Sequence, residues 1–561
     1  MINLIPLDLL PPLAVVPIFV NAGAALLPAI IAGLTSAVAL LFKPREMLSL
    51  FKRKPLVPVI IVLVCGAFYF IWGLLAGGHP ANAASARSNT PTTQATSVGS
   101  QTDWAKVALE IIRQERLAKT LGGTATPPPV TPDNTSLAPT QKSPIYYRHD
   151  AERSGYAGGT SPVNLTPLWE HNEEGTMYLS SPLVVGNLVY SASCYLDPPG
   201  SFGSIFCLDE TTGEKRWSTE TKDGKADFKG FFSSPALTAD GENLVIGQGL
   251  HQDANSELVC LNAKTGKVRW LVKTPLHIEG SPAIEGDVVV AGAGAIEVGD
   301  DHKPKGDPAT TGNPGYVLAV RISDGKELWK YPLNDPEGSP AIADGIVYIG
   351  SGMNGSAVAA LRIASDEDLK AKNLERLVWK TPTPDPATGA VTLTGDLALV
   401  GGGKGDFVFT SPNPQGFVIA LEKSTGKIRW KTTLPDAVLG AIAVKDGRAI
   451  VPVRNGELIA LEVSTGKILW RQEDPAKRIS GTAPILSGPA FTGTHIYASS
   501  QNGNLAVIDA ATGAILQKLY LNAKDKPGEL GLTFSSPFVA NGRVFVGSET
   551  GGLRAYTQAA Q

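Results

Sequence analysis

The sequence predicts an all-β fold, an eight-bladed β-propeller, preceded by an α-helical transmembrane hairpin. Three observations carry that expectation. A strand–Gly turn–strand unit closed by tryptophan recurs along the chain, as in FCLDETTGEKRW, VCLNAKTGKVRW, IALEKSTGKIRW and IALEVSTGKILW. A second hairpin motif with a Gly-Asn, Gly-Asp, Asp-Gly or Asn-Gly turn precedes most copies, as in SPLVVGNLVYSA and SPAIADGIVYIG. The first 78 residues hold two long apolar runs around a basic loop.

Composition supports many short strands. Of 561 residues, 60 are glycine and 42 proline, while 43% are hydrophobic. A chain that is both apolar and turn-rich breaks often. At roughly 150 residues per domain the length would allow three or four domains, but repeats can hold it in one unit. Lys and Arg number 49 against 52 Asp and Glu, a net charge of −3. That lacks the basic field a nucleic-acid partner requires. Four cysteines exclude a disulfide-built scaffold, and the absence of CxxCH excludes covalent c-type haem.

Residues 1–78 read as a membrane anchor. Residues 9–42 are uncharged and apolar, and 56–77 form a second run of 22 residues, long enough to cross a bilayer. The loop between them carries Lys43, Arg45, Lys52, Arg53 and Lys54 against one acid, Glu46. The positive-inside rule puts that loop in the cytoplasm and everything after residue 78 outside. A signal-peptide reading of 51–83, ending at Ala81-Asn82-Ala83, competes, but its apolar run exceeds the usual h-region. Residues 79–144 are an Ala/Ser/Thr/Pro-rich linker with a short amphipathic helix at 103–119, capped by Asp103, with Trp104, Val107, Ile111 and Leu117 on roughly one face.

Residues 145–561 hold the propeller. Each unit joins two hairpins into four antiparallel strands, one blade. The closing tryptophan recurs at Trp217, Trp270, Trp329, Trp379, Trp430 and Trp470, and Gln517 stands in its place in the next copy. First hairpins number eight, yet the last unit ends after its third strand at Ala555-Tyr556-Thr557-Gln558. The N-terminal strand 165–170, carrying Trp169, supplies the fourth and leaves no open sheet edge.

These repeats resemble the pyrroloquinoline-quinone (PQQ) repeat family, through Leu208-Asp209, Thr212-Gly213 and Trp217 and again through Trp270, Trp430 and Trp470. The resemblance covers residues 145–558 and implies that the tryptophans dock one blade on the next. It implies two functional branches: quinoprotein dehydrogenases holding PQQ and Ca²⁺ at the channel mouth, and non-catalytic propellers such as the outer-membrane assembly factor BamB. The dehydrogenases stack PQQ on a disulfide between adjacent cysteines, and here the cysteines stand at 65, 194, 207 and 260.

A site belongs on the face opposite the tight turns, where the long connections 196–203, 295–315 and 402–416 gather. Glu279 and Glu337, each in a Glu-Gly-Ser-Pro motif of adjacent blades, should flank the channel mouth and are the candidate metal ligands, for a hard cation such as Ca²⁺. His277 lies two residues before Glu279 and could join them. Glu297, Asp300, Asp301, His302 and Asp307 crowd one connection without calcium-loop spacing. Cys194 and Cys207 flank another and could pair in an oxidising compartment. No GxSxG, HExxH, Walker loop or CxxC is present. The expectation is a non-catalytic scaffold on the periplasmic side of a bacterial inner membrane, binding other envelope or membrane proteins and needing no cofactor. The alternatives are a quinoprotein oxidoreductase or sensor using PQQ and Ca²⁺, and a glycan or small-ligand binder.

Overall fold

The computed structural model describes residues 144–560, apart from 145, 198–199, 220–227, 251–252, 254, 295–314, 353–354, 406, 408–409, 525–527 and 529–530. The expected membrane hairpin (9–42 and 56–77), the linker and the helix 103–119 lie outside the described residues. Among those residues no helix is long and apolar enough to cross a membrane.

Eight four-stranded antiparallel sheets form the expected blades. Blades 1 to 7 span 183–218, 236–274, 283–332, 341–382, 392–434, 443–471 and 490–520. Blade 8 joins 538–558 to the N-terminal strand Leu165–His171, with Leu165 opposite Gln558 and His171 opposite Leu553. The ring therefore closes as the sequence predicts, and the bond between first and last strands removes the exposed edge.

Each outer strand carries a bulge one residue before its tryptophan, or before Gln517 in blade 7. The extra residue turns the next side chain out of its own sheet. Every indole N–H then donates to a carbonyl of the following blade: Trp169 to Glu210, Trp217 to Ala263, Trp270 to Ile322, Trp329 to Ile363, Trp379 to Lys423, Trp430 to Val463 and Trp470 to Ala510. The Thr-Gly turn of that next blade, Asp324-Gly325 in blade 3, lies against the ring. A Cβ at Gly213, Gly266, Gly325, Gly426, Gly466 or Gly513 would stand 2.4–2.7 Å from indole carbons. Those glycines also hold φ near +70°, so both backbone and space demand glycine. Blade 4 departs from the pattern. Its turn is replaced by a short helix, Asp366–Ala371, capped by Ser365, and the Arg376 guanidinium covers Trp329 at 4.1 Å.

The core is a ring of separate apolar interfaces between neighbouring blades. That between blades 5 and 6 is typical, with Leu399, Val418, Trp430, Val451, Ile459 and Leu461. At the head of the inner strands the recurrent serine-proline motif has a distinct task. Backbone N–H groups of Gly488, Ser536, Ser181, Ser234 and Ser281 donate in turn to the hydroxyls of Ser536, Ser181, Ser234, Ser281 and Ser339, at 2.8–3.0 Å. Inner strands have no further neighbour to pair with, and this chain of hydroxyls links blades 7, 8, 1, 2, 3 and 4 around the channel.

The segment 146–157 fills the channel, a role the sequence reading did not assign. N–H groups of the inner strands of blades 4 to 7 donate into it: Ile342 to Ala151, Leu393 to Glu152, Val444 to Ser154 and Phe491 to Gly155. Arg153 is fully buried. Its guanidinium donates to the carbonyls of Tyr147, Ser281, Pro282 and Pro340. A buried cation is tolerable because carbonyl oxygens ring it. Burial still lowers its pKa to about 10.

Candidate functional site: an acidic pit under an aromatic mouth

Glu279 and Glu337 stand at the same place in blades 3 and 4, each two residues ahead of a serine in the hydroxyl chain. The backbones meet because Gly280 has no side chain: a Cβ there would lie 2.8 Å from the Glu337 carbonyl. His277 enters from the strand approach to blade 3, its Cβ 2.9 Å from where a Cβ of Gly249 would be. One donor atom from each of His277, Glu279 and Glu337 falls within 4.8 Å of the others. His277 and Glu279 are buried and Glu337 half-buried. The sequence-predicted pair is thus brought together, with His277 as a third member.

The acids line a pit in the channel, together with Ser281, Ser339, Thr388 and the ring of Tyr147 from the plug. The pit has about 60 Å³ of free space, room for a handful of waters at ~10–15 Å³ each. Three phenylalanines border it. Phe232, Phe407 and Phe534 form a triangle with centroids 5.0, 5.7 and 5.8 Å apart. Leu179, Leu439 and Leu486 extend this apolar rim. Phe232 comes from the approach to blade 2, Phe534 from the approach to blade 8, and Phe407 from the long connection within blade 5. Phe232 and Phe407 are half-exposed.

The other long connections have different fates. The 196–203 connection is an ordered hairpin, Tyr195–Asp197 with Gly200–Phe202, whose Tyr195 and Phe202 rings stack at 5.4 Å. Asp253 of the neighbouring blade ties it down by accepting from the Ser201 N–H and hydroxyl. Glu297, Asp300, Asp301, His302 and Asp307 lie outside the described residues.

The expected pairing of Cys194 with Cys207 is not formed. Cys207 sits opposite Tyr190, and Cys194 is four residues farther along that chain, bridged instead to Met177. Four residues of extended chain is roughly 13 Å, beyond the ~7 Å limit between Cα atoms of a disulfide. Both are free, buried thiols whose pKa burial raises; Asp253 and Glu279 add to the effect at Cys194.

A family model described as outer membrane protein assembly factor BamB matches residues 166–401 and 374–561, most of the chain. The chain belongs to this BamB family of PQQ-type propellers. It is 24% identical over 402 residues to BamB of Shewanella oneidensis, covering 66% of this chain and 87% of that one. It is also 26% identical over 285 residues to the dehydrogenase subunit of a quinone alcohol dehydrogenase from Gluconobacter oxydans. That match covers 46% of this chain and 31% of the dehydrogenase, so the chain spans less than a third of that enzyme. Among solved structures, the quinohemoprotein alcohol dehydrogenase of Comamonas testosteroni aligns at a TM-score of 0.52 and 14% identity, over 74% of this chain and 81% of that one, a likeness of fold.

The residues here do not fit PQQ. The adjacent cysteine pair on which the resemblance places the quinone is missing. The sequence reading missed the phenylalanine triangle, because Phe232, Phe407 and Phe534 are 127 to 302 residues apart. Only the placement of Phe-Phe-Ser-Ser-Pro and Thr-Phe-Ser-Ser-Pro in equivalent blade positions hinted at two of the three.

Proposed function

We infer that this BamB-family chain is a membrane-tethered, non-catalytic scaffold of the cell envelope, whose propeller stands on the periplasmic side of a bacterial inner membrane and holds a protein partner at the aromatic mouth. The observation that carries this reading is the triangle of Phe232, Phe407 and Phe534 beside a channel filled by the chain's own segment 146–157. Clustered aromatics on a rim, two of them, Phe232 and Phe407, half-exposed, are what protein interfaces use as anchors. The plug fills the channel beneath that mouth. The relatives described as outer membrane protein assembly factors support an envelope partner. The basic loop around Arg45 and Arg53 supports the orientation, and an alkaline-phosphatase fusion after Gln561 should be active.

The deciding experiment is capture of partners by full-length chain in mild detergent, with and without Phe407→Asp. A charge at the mouth should abolish capture of an envelope protein while leaving the melting temperature within a few degrees, because Phe407 is only half-buried. Unchanged capture by the variant would remove the mouth from the interface. PQQ-dependent oxidation of an alcohol by the purified chain would replace the scaffold reading with the enzyme one.

A further inference from the structure

We propose that His277, Glu279 and Glu337 bind a first-row divalent cation, of the manganese or zinc kind, at the floor of the acidic pit. The inference goes beyond the scaffold reading and does not depend on it. Three donor atoms already lie within 4.8 Å of one another, so a shift of a few tenths of an ångström brings them within the ~4.0–4.4 Å that can separate two donors ~2.0–2.2 Å from a common ion. They come from two segments of the chain, 277–279 and the equivalent stretch at 337 in the next blade, and the packed backbone sets each of them. His277 is wedged against Gly249, Gly280 packs on the Glu337 carbonyl, and Ser281 is tied to Ser339 at 2.9 Å. The cluster is no solvated patch of acids: His277 is 3% exposed and Glu279 8%. A divalent cation held between two carboxylates in so little solvent is attracted by both.

The donor types choose the ion. An imidazole nitrogen with two carboxylates suits manganese, iron, zinc and their neighbours. Calcium prefers six to eight oxygens, and here one of the three donors is nitrogen. The free space of the pit adjoins the cluster, so waters would complete the coordination. Such an ion would join blades 3 and 4 on the face that carries the phenylalanine triangle.

The test uses full-length chain stripped with chelator and titrated with Mn²⁺, read by the loss of the free-ion electron paramagnetic resonance signal, and with Co²⁺, read by its d–d absorption. Wild-type chain should take up one ion. Glu337→Gln, at the half-buried position, should bind more than ~10-fold more weakly, since even a partner outside the ligand shell is worth that much. His277→Gln should shift the Co²⁺ spectrum away from nitrogen ligation. Melting curves of ion-free wild type and Glu337→Gln should coincide, which separates lost ligation from lost fold. Failure of wild type to bind, or binding of equal strength in Glu337→Gln, overturns the assignment. Equal displacement of Mn²⁺ by Ca²⁺ at the same concentration overturns the choice of ion. Partner capture is not read in this experiment, so its outcome leaves the scaffold reading to its own test.

Discussion

Gln517 and Leu165 clasp each other across 352 residues: the Gln517 side-chain oxygen accepts the Leu165 N–H at 2.6 Å, and its amide nitrogen donates to the Leu165 carbonyl at 2.9 Å. Every other blade junction that the repeat marks is docked by an indole. Blade 8 has no Thr-Gly turn for an indole to rest on, because its outer strand arrives from the far end of the chain. An amide that matches both backbone groups of the first closing residue serves instead.

Gln517→Leu should therefore weaken ring closure. It removes both partners of Leu165, at a cost of about 1–3 kcal/mol, and should lower the melting temperature by a few degrees. Gln517→Glu should also destabilise, since it keeps the acceptor but sets a carboxylate against the Leu165 carbonyl. Thermal unfolding of the two variants checks this. A melting temperature equal to wild type in both would show that closure does not depend on the clasp.

A glycine pair separates backbone strain from crowding. Gly466 and Gly447 have φ of +72° and +73°, but a Cβ at Gly466 would lie 2.4 Å from the Trp430 ring, whereas one at Gly447 meets nothing within 4 Å. Gly447→Ala should cost roughly 1–2 kcal/mol from conformation alone. Gly466→Ala should cost a further ~1–3 kcal/mol from overpacking. Denaturant unfolding measures both, and equal losses would contradict the docking role of the turn.

Acid should loosen the channel plug. Burial, with the nearby Arg148, lowers the pKa of His149 from 6.5 to about 3, and its ring stacks on Phe538 at 4.0 Å. The folded state keeps His149 neutral while the unfolded state gains a proton below pH 6.5. Its contribution is therefore complete above that pH and is lost progressively as pH falls toward about 3. At pH 5 the loss is on the order of 2 kcal/mol. His149→Asn, which suits the observed φ of +77°, should flatten stability between pH 4 and 6.5. An unchanged pH slope in that variant would move the effect elsewhere.

The sequence reading reached what repetition encodes. Thr-Gly turns and tryptophans at fixed offsets defined the blades, and the missing fourth strand pointed to Trp169. Glu279 and Glu337 were legible because they repeat one motif in neighbouring blades. The plug was not legible, since 146–157 has no repeat and pairs with four separate blades through backbone atoms that leave no side-chain signature. Arg148 and Arg153 look like solvated charges in a linear reading, yet both are buried. The Cys194–Cys207 expectation failed because sequence proximity around a loop says nothing of register: the intervening hairpin Tyr195–Phe202 lets the strands continue past Cys194 before they turn.

The central claim is that a partner protein sits on the aromatic mouth, and site-specific photo-crosslinking in intact cells tests it most directly. A photoreactive residue at Phe407 faces the mouth, and one at Ser464 marks the uniform Thr-Gly turns on the opposite face. The account predicts an adduct with an envelope protein from position 407 and none from position 464. An adduct from 464 with none from 407 would contradict it.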